Sequence, residues 1–194
     1  MIVFPGDPRP QVKDINTIEE HGYNQKFLSF ASHTGTHIDA PNHILAGGKT
    51  LDTYPLEKFY GKAAVVEVKT PTINEDNIVQ KIDLIEQVDF VLFRSGWDKF
   101  WNEPEYFLGY PYFTDAAASL LTSYNIKGIG IDTISPDEIN SLSVHRLLLS
   151  ADILIIENLT GLSRLPDNTI FDFWAIPLKI KNADGAPVRC WAEI

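Results

Sequence analysis

Three of the chain's five histidines stand within eleven residues, in the run His33-Thr-Gly-Thr-His37-Ile-Asp39-Ala-Pro-Asn-His43. Neutral imidazoles and a carboxylate are ligands that suit zinc and, less often, manganese, iron or nickel. A Cys-rich structural zinc site is excluded, because the chain has a single cysteine. Since one aspartate has two oxygens, it can bridge two ions, an arrangement that hydrolases use. The run therefore predicts a metal centre with hydrolytic chemistry.

The spacing of this run favours an extended backbone. A helix is opposed by the glycine, the β-branched residues and Pro41. In an extended segment, residues 33, 35, 37 and 39 point to one face, which then carries two histidines and the aspartate. Gly35 leaves room between the two imidazoles for an ion. Pro41 turns the chain, which we expect to bring His43 beside the same site.

A second source of ligands lies later in the chain. His145 falls in a predicted helix after Ser143, and Glu157 follows the aliphatic run Ile153–Ile156. A glutamate directly after four aliphatic residues is costly to bury without a partner, and a metal ion would supply one. From the residues alone the alternative stays open that His145 packs a helix and Glu157 forms a salt bridge.

The elements that must position these residues are short strands and helices. Strands are predicted where apolar, β-branched runs are bounded by Gly, Asp, Asn or Pro, and helices where capping residues precede helical spacing. The strands are Ala63–Val68, Phe90–Phe93, Ile126–Ile131 and Ile153–Ile156; the helices are Asp115–Tyr124, with Thr114 as N-cap, Ser143–Ser150 and a weaker one over Asp76–Gln80. This order predicts a mixed α/β class in a single domain over residues 1–194.

Composition narrows the classes of function. The 194 residues are 44% hydrophobic and 22% charged, and the net charge is -10, with a pI near 4.8. Such an acidic surface disfavours nucleic acid and anionic membranes as partners. With one cysteine, no targeting segment and no apolar run long enough for a bilayer, we expect a cytoplasmic protein.

The run resembles the signature H-x-G-T-H-x-D-x-P-x-H of the cyclase family of metal-dependent hydrolases, whose members include the bacterial kynurenine formamidases (arylformamidases). Less specific similarities occur in the expected order along most of the chain, both before and after this run. They are Phe4-Pro-Gly-Asp7, Arg94-Ser-Gly-Trp97, Gly130-Ile-Asp-Thr-Ile-Ser135, Ser143-Val-His145 and Ile156-Glu-Asn-Leu159.

The resemblance implies a site and a reaction. By position, His33, His37 and Asp39 hold one metal; Asp39 bridges to a second metal, which His145 and Glu157 complete. Two zinc ions, or manganese, are implied as cofactors, and His43 is implied as the proton donor and acceptor. The implied fold is the swivelling β/β/α fold in a homodimer or homotetramer. The implied reaction is hydrolysis of N-formyl-L-kynurenine, a small-molecule amide of tryptophan catabolism, to L-kynurenine and formate.

One departure leaves the substrate open. Formamidases have a tryptophan before Pro-Gly-Asp that helps to hold the substrate, whereas Phe4 stands there in this chain and lacks the indole N–H. The first alternative is therefore hydrolysis of another small or cyclic amide, as in isatin hydrolases. A second is a non-catalytic metal-binding protein. A third, a Cys or Ser nucleophile, is weak because no G-x-S-x-G elbow exists.

Other chemistry-bearing residues have plainer interpretations. Three aromatic residues besides Phe4 are candidates to line a pocket, although ordinary packing is favoured for each: Trp97, Trp101 and Tyr112. Asp132 either orients a ligand or, as we favour, serves as a turn or cap residue. For the remaining residues we expect ion pairing at Asp7 and Arg94, solvent exposure at His21, and an inert thiol at Cys190.

Overall fold

Residues 3–194 are described by a computed structural model, in which the chain forms twelve strands and five α-helices. The strands are β1 Gln11–Asn16, β2 Gln25–Ser29, β3 His37–Asp39, β4 Tyr60–Glu67, β5 Thr72–Ile73, β6 Phe90–Arg94, β7 Tyr112–Phe113, β8 Gly128–Ile131, β9 Leu154–Glu157, β10 Phe171–Trp174, β11 Gly185–Pro187 and β12 Trp191–Glu193. The helices are α1 Ile18–His21, α2 Glu75–Val79, α3 Ile82–Ile85, α4 Asp115–Leu121 and α5 Ser143–Ser150.

Eight strands form one mixed sheet in the order β11-β3-β9-β8-β6-β4-β10-β12. The four central strands, β9, β8, β6 and β4, run parallel to their neighbours in this group, and the outer strands join antiparallel. The remaining strands form two separate ladders, β1 with β2 and β5 with β7. Strand β3, which carries part of the histidine run, therefore lies next to the end of the parallel core.

The central strands are buried on both faces, which explains why they are apolar at successive positions. In β6, Val91 and Phe93 belong to one core cluster, whereas Phe90 and Leu92 belong to another. The side chains of a strand alternate between the two faces, so one strand supplies both cores. Burying an aliphatic or aromatic side chain of this size contributes about 1.5–3 kcal/mol. Strands of a parallel sheet that is covered on both faces therefore have nearly continuous apolar sequences.

The two faces are covered by different elements. Helices α4 and α5 contribute to the first core through Leu121 and Leu148. The second core contains Phe173 of β10 and Ala186 of β11, although these strands stand near opposite ends of the sheet. The sheet is therefore curled, and its outer strands help to enclose one of its own faces. The predicted mixed α/β class of the swivelling β/β/α type is confirmed.

The predicted elements are present, with small shifts in their bounds. The four predicted strands correspond to β4, β6, β8 and β9, and the predicted helices to α2, α4 and α5. Helix α4 is three residues shorter than predicted, and Thr114 caps it by accepting a hydrogen bond from Ala117 N at 3.1 Å. Helix α5 has the predicted bounds. Within residues 3–194, every helix is too short or too polar to cross a membrane.

Candidate metal centre

The histidine run enters the sheet as β3, where His37 and Asp39 are both buried. Immediately before the strand, Gly35 has a φ of 67°, a left-handed conformation that glycine adopts without steric cost. The chain bends there, and His33 lies in a turn outside the strand. The predicted extended face over residues 33–39 is therefore wrong for residues 33–36. The bend still returns His33 to the site, since its Nδ1 lies 2.7 Å from Asp39 Oδ1.

The last histidine of the run is delivered by the turn after β3. Pro41 starts a 3₁₀ helix over Pro41–His43, a position that suits proline because its fixed φ is already helical. The ring of His43 stacks at a tilt on His33, with 4.0 Å between centroids, and lies 5.6 Å from the ring of His145. The structure thus brings His43 beside the site, as the sequence predicts.

His145 and Glu157 are contributed to the centre by α5 and β9. His145 is in the first turn of α5, and Glu157 is the last residue of β9. Glu157 is the register partner of His37 across the antiparallel β3–β9 pair. Because directly paired residues put their side chains close together, this register places Glu157 at the histidine cluster.

The imidazole nitrogens converge on two buried carboxylates. His37 Nε2 lies 3.3 Å from both Asp39 Oδ1 and Glu157 Oε2. His145 Nε2 lies 3.3 Å from Glu157 Oε1 and 3.6 Å from Asp39 Oδ2. One oxygen of Asp39 therefore faces His33 and His37, and the other faces His145.

The donor set fits a metal cation. In residues 3–194, only three buried side-chain polar atoms lack a hydrogen-bond partner, and two of them are Asp39 Oδ2 and Glu157 Oε1. An unpartnered carboxylate oxygen is expensive to bury, and a cation compensates that cost. Ligand atoms of His33, His37 and Asp39 lie within 4.8 Å of one another, as do those of Asp39, His43 and His145. Two overlapping groups that share Asp39 can accommodate one ion each.

Three of the histidines have raised pKa values. Burial lowers the pKa of His33, but the carboxylates of Asp39 and Asp184 outweigh burial and raise the pKa to about 9. Burial opposes the charged form of His37 and His145 as well, yet carboxylates including Asp39 and Glu157 raise their pKa values above the ordinary range. The carboxylates thus stabilise positive charge at this point. A bound cation would satisfy them in the same way and leave the rings neutral, as metal-binding imidazoles are.

His43 behaves differently from its neighbours. Burial lowers the pKa of His43, and the opposing attraction of Asp39 does not restore it. The lowered pKa favours a neutral ring at neutral pH, which is the form that accepts a proton. His43 also borders the cavity described below. Its position and its pKa both suit proton transfer, although its distance from Asp39 and His145 also permits a role as ligand.

A cavity of about 450 Å³ opens onto the histidines. Its apolar wall is formed by five side chains: Phe4, Tyr110, Ile134, Ile139 and Leu142. Of the four aromatic candidates from the sequence, only Phe4 is among the lining residues. Trp97, Trp101 and Tyr112 pack instead in an aromatic cluster with the buried Tyr106 and Tyr110, of which Tyr110 also lines the cavity. The favoured prediction of ordinary packing for these three residues is confirmed.

Asp132 anchors a loop. Its buried carboxylate accepts hydrogen bonds from the backbone N–H groups of Ser95 and Gly96 and from Ser95 Oγ. Burial raises the pKa of Asp132, and these donors oppose that rise. Asp132 thus fixes the turn after β6, which matches the favoured turn or cap interpretation.

The remaining predictions are mostly matched by the structure. Arg94 forms ion pairs with Asp167 and Glu67, and His21 is exposed. Burial raises the pKa of the Cys190 thiol to about 12, which keeps it unreactive. The prediction of an ion pair at Asp7 is wrong within residues 3–194, because Asp7 lines the cavity there without a cationic partner.

Two aspartates that contact the histidines were not predicted from the sequence. Asp137 Oδ2 lies 2.6 Å from His145 Nδ1, and the same carboxylate accepts hydrogen bonds from the N–H groups of Val144 and His145. Asp184 Oδ2 lies 3.0 Å from His33 Nε2. Asp137 precedes α5 in a segment rich in serine and acidic residues, which is a capping signal. Asp184 is 151 residues from His33, and no local pattern connects the two.

Known proteins are similar to this chain in sequence and in fold. The profile of the family described as "Putative cyclase" matches residues 1–138. A kynurenine formamidase of Geobacillus thermodenitrificans is 33% identical over 190 residues, which cover 96% of this chain and 88% of the relative. The structure of isatin hydrolase A from Labrenzia aggregata, bound to benzyl benzoate, has a TM-score of 0.84 at 26% identity. The match covers 98% of this chain and 87% of the isatin hydrolase chain.

A third similar protein is described by its chemistry alone. The structure of a "predicted metal-dependent hydrolase" from Bacillus stearothermophilus has a TM-score of 0.81 at 30% identity, and the match covers 99% of this chain and 91% of that one. The matches to all three similar proteins extend past residue 138, where the family profile ends, and include His145 and Glu157.

Proposed function

The chain belongs to the cyclase family, and from that premise we propose that it is a metal-dependent hydrolase of a small, non-peptide amide, with N-formyl-L-kynurenine as its first candidate substrate. The observation that carries the proposal is a buried cluster of five side chains: His33, His37, Asp39, His145 and Glu157. Within this cluster, Asp39 Oδ2 and Glu157 Oε1 have no hydrogen-bond partner. Buried charge of this kind is retained in proteins where a partner or a function compensates its cost.

The proposed metal complement is two divalent ions, most suitably zinc, with manganese as the alternative. His33 and His37 would hold one ion, His145 and Glu157 the other, and Asp39 would bridge them. The support is the orientation of Asp39, whose Oδ1 faces the first pair of histidines and whose Oδ2 faces His145. A set of nitrogen and carboxylate donors without thiolate suits these metals.

In the proposed reaction, divalent ions would lower the pKa of water toward neutrality and polarise the amide carbonyl. The chain's own residues perform the proton transfers. His43, neutral because burial lowers its pKa, accepts the proton of the attacking water and then donates it to the departing nitrogen. Its place at the boundary between the carboxylate cluster and the cavity allows both steps without large movement.

The cavity supports a small substrate with an apolar or aromatic body. Phe4 and Tyr110 offer aromatic faces, and Ile134, Ile139 and Leu142 complete the apolar wall. A volume of about 450 Å³ lies within the range of small-molecule sites. A substrate with formyl and aryl groups would therefore fit within the cavity, which the histidines also line.

A neutral cyclic amide such as isatin is the second candidate substrate. Among the described residues that line the cavity, the charged ones apart from the histidines and Glu157 are the acids Asp7 and Glu138, and no lysine or arginine faces a substrate carboxylate. Isatin requires no such partner, whereas N-formyl-L-kynurenine has both a carboxylate and an ammonium group. The similarity in fold to isatin hydrolase A points in the same direction.

Metal analysis combined with parallel assays tests the proposal. We expect about two divalent ions per chain and hydrolysis that is lost on chelation and restored by zinc or manganese. Turnover of N-formyl-L-kynurenine supports the formamidase assignment, and selective turnover of isatin replaces it with the cyclic amide. Protein that binds neither metal after both are supplied would contradict the proposed hydrolase and exclude the non-catalytic metal-binding alternative as well.

We also propose that the chain forms a homo-oligomer, either a dimer or a tetramer. The support is the β1–β2 ladder, whose two strands pair only with each other among the described residues. An isolated two-stranded hairpin is marginally stable in water. This hairpin nevertheless exposes Val12, Ile15, Phe27 and Leu28, each at least half accessible to solvent. A second subunit would cover these side chains.

A further inference from the structure

We infer that Asp184 is a positioning residue of the histidine centre, which holds His33 so that its Nδ1 faces Asp39. The inference rests on the proposed metal-dependent function. His33 Nε2 lies 3.0 Å from Asp184 Oδ2, and His33 Nδ1 lies 2.7 Å from Asp39 Oδ1. Asp184 thus binds the ring nitrogen that points away from the centre and leaves the other nitrogen directed into it.

The backbone around Asp184 is fixed to the same edge of the sheet as the centre. The carbonyl of Asp184 accepts a hydrogen bond from Ala40 N at 2.8 Å, directly after β3. Gly185, the next residue, is the register partner of Asp39 in the β11–β3 pair. Asp184 therefore lies directly before a strand whose first residue is aligned with Asp39.

Gly185 restrains the same ring sterically. A Cβ at Gly185 would lie 2.6 Å from His33 Cε1, which is closer than real side chains approach. The imidazole of His33 consequently packs against the bare backbone of residue 185. The ring is held by a hydrogen bond at one nitrogen and by close packing at Cε1, and both restraints come from the Asp184-Gly185 pair.

Asp184 completes a pattern shared by three of the histidines. His37 Nδ1 lies 2.7 Å from the Gly35 carbonyl, and His145 Nδ1 lies 2.6 Å from Asp137 Oδ2. Each of the three rings has one nitrogen engaged by an outer acceptor and the other directed at the carboxylates. Such outer acceptors fix the tautomer and orientation of metal-binding histidines, and their loss typically weakens metal affinity by about 10–100-fold.

Asp184 also lies beside His43. Its Oδ2 is 3.8 Å from His43 Nδ1, which is too long for a direct hydrogen bond but close enough for electrostatic attraction. The stacked rings of His33 and His43 therefore share one neighbouring carboxylate. Unlike Asp137, Asp184 has a side chain that is 40% exposed, so it can be shortened without opening a cavity in the core.

Zinc affinity of chelator-stripped, full-length protein tests the inference in four variants. Asp184→Ala removes the acceptor, Asp184→Asn retains an acceptor oxygen, and Gly185→Ala leaves Asp184 but displaces the ring. Asp52→Asn is the matched control. Asp52 accepts a hydrogen bond from Asn182 N, two residues before Asp184, but it contacts no histidine in residues 3–194. Competition with a chromogenic chelator gives the affinity, and thermal unfolding of the metal-free protein reports on the fold.

We expect Asp184→Ala to weaken zinc binding by about 10–100-fold, with an unfolding midpoint close to that of the wild type. We expect Gly185→Ala to weaken zinc binding too, Asp184→Asn to restore most of the affinity, and Asp52→Asn to match the wild type. Zinc affinity of Asp184→Ala within about twofold of the wild type would overturn the inference, as would an equal loss in Asp52→Asn. Wild-type protein that binds no zinc or manganese would overturn the proposed function itself, before any variant is compared.

Discussion

His37 and Glu157 are direct partners in the β3–β9 ladder, and their side chains meet with 3.3 Å between His37 Nε2 and Glu157 Oε2. The centre is therefore assembled by strand register, which joins residues 120 positions apart in the chain. A shift of one residue in this register would turn one of the two side chains to the opposite face. The metal centre and the pairing of β3 thus depend on one another.

Replacing Asp39 tests whether one carboxylate serves both halves of the centre. Asp39→Asn keeps the shape of the side chain but removes the charge that faces His33 and His37 through one oxygen and His145 through the other. We expect loss of bound metal and a fall in kcat of at least about 10²-fold, measured by elemental analysis and steady-state assay. Asp172→Asn, which alters an exposed pair with Lys62, is the control and should retain both. Full metal content in Asp39→Asn would contradict the bridging role.

Replacing His43 separates a proton-transfer role from a ligand role. We expect His43→Ala to keep its metal and its fold while kcat falls by about 10²–10⁴-fold, the usual contribution of a general acid or base. His21→Ala, at an exposed histidine outside the run, is the control and should be fully active. If His43→Ala instead loses metal in proportion to its activity, His43 is a ligand, which its distance from Asp39 and His145 would permit.

Much of this centre could be predicted from the sequence, because its residues sit at the ends of short, well-marked elements. The aliphatic run before Glu157 predicts β9, and the predicted helix Ser143–Ser150 has the bounds of α5, which carries His145 in its first turn. The bend at Gly35 was not predicted, because the residue types fit two backbones. In an extended strand His33 shares a face with Asp39 but lies about 20 Å from it, whereas a left-handed glycine folds His33 back onto Asp39. Only the backbone conformation distinguishes the two.

The outer residues of the centre could not be predicted, and the reason differs between them. Asp137 is eight residues from His145, but its position before α5 is equally well explained by the hydrogen bonds that its carboxylate accepts from N–H groups in the first turn of that helix. Asp184 lies beside His33 because β11 pairs with β3. The two residues are 151 positions apart in the chain, and no local sequence pattern predicts their contact. The curl that brings β10 and β11 to one core is likewise a tertiary property.

The double role of Asp137 predicts two separable effects of its loss. Its carboxylate accepts from the N–H groups at the start of α5 and holds His145 Nδ1. We expect Asp137→Ala to lower the free energy of unfolding by about 1–2 kcal/mol through the lost cap, measured by urea unfolding of metal-free protein. We further expect zinc affinity to fall by about 10–100-fold. Asn is nearly as good a cap and can still accept from His145, so Asp137→Asn should lose less on both measures.

The exposed hairpin predicts a change of oligomeric state. Val12 and Leu28 are register partners on one face of the β1–β2 ladder, and both are more than half exposed. We expect the double substitution Val12→Ser and Leu28→Ser to shift the protein toward the monomer in light scattering coupled to gel filtration. The control pair Val79→Ser and Leu108→Ser is as exposed but lies outside the hairpin, and it should leave the mass unchanged. A monomeric wild type would contradict the proposed oligomer.

Asp152 predicts a pH dependence of stability away from the centre. Its carboxylate accepts from the Tyr54 hydroxyl and pairs with Lys49 at 3.1 Å, while Lys58 contacts the same residue. Burial raises the pKa of Asp152, but Tyr54 and the two lysines outweigh it, and the net pKa is lowered. A carboxyl group with a lowered pKa stabilises the fold above its unfolded pKa of about 3.9, and this contribution is lost as the pH falls through the folded value.

Comparison of the wild type with Asp152→Asn measures that contribution. Asparagine tolerates the φ of 61° at this position and keeps the shape of the side chain, so the charge is the main difference. We expect Asp152→Asn to be less stable than the wild type at pH 7, and the gap to narrow below about pH 4. Urea unfolding in the presence of chelator at both pH values removes any contribution from metal release. A gap that stays constant with pH would show that Asp152 contributes through its hydrogen bonds with Tyr54 and Lys49, and that its charge has no part in the stability.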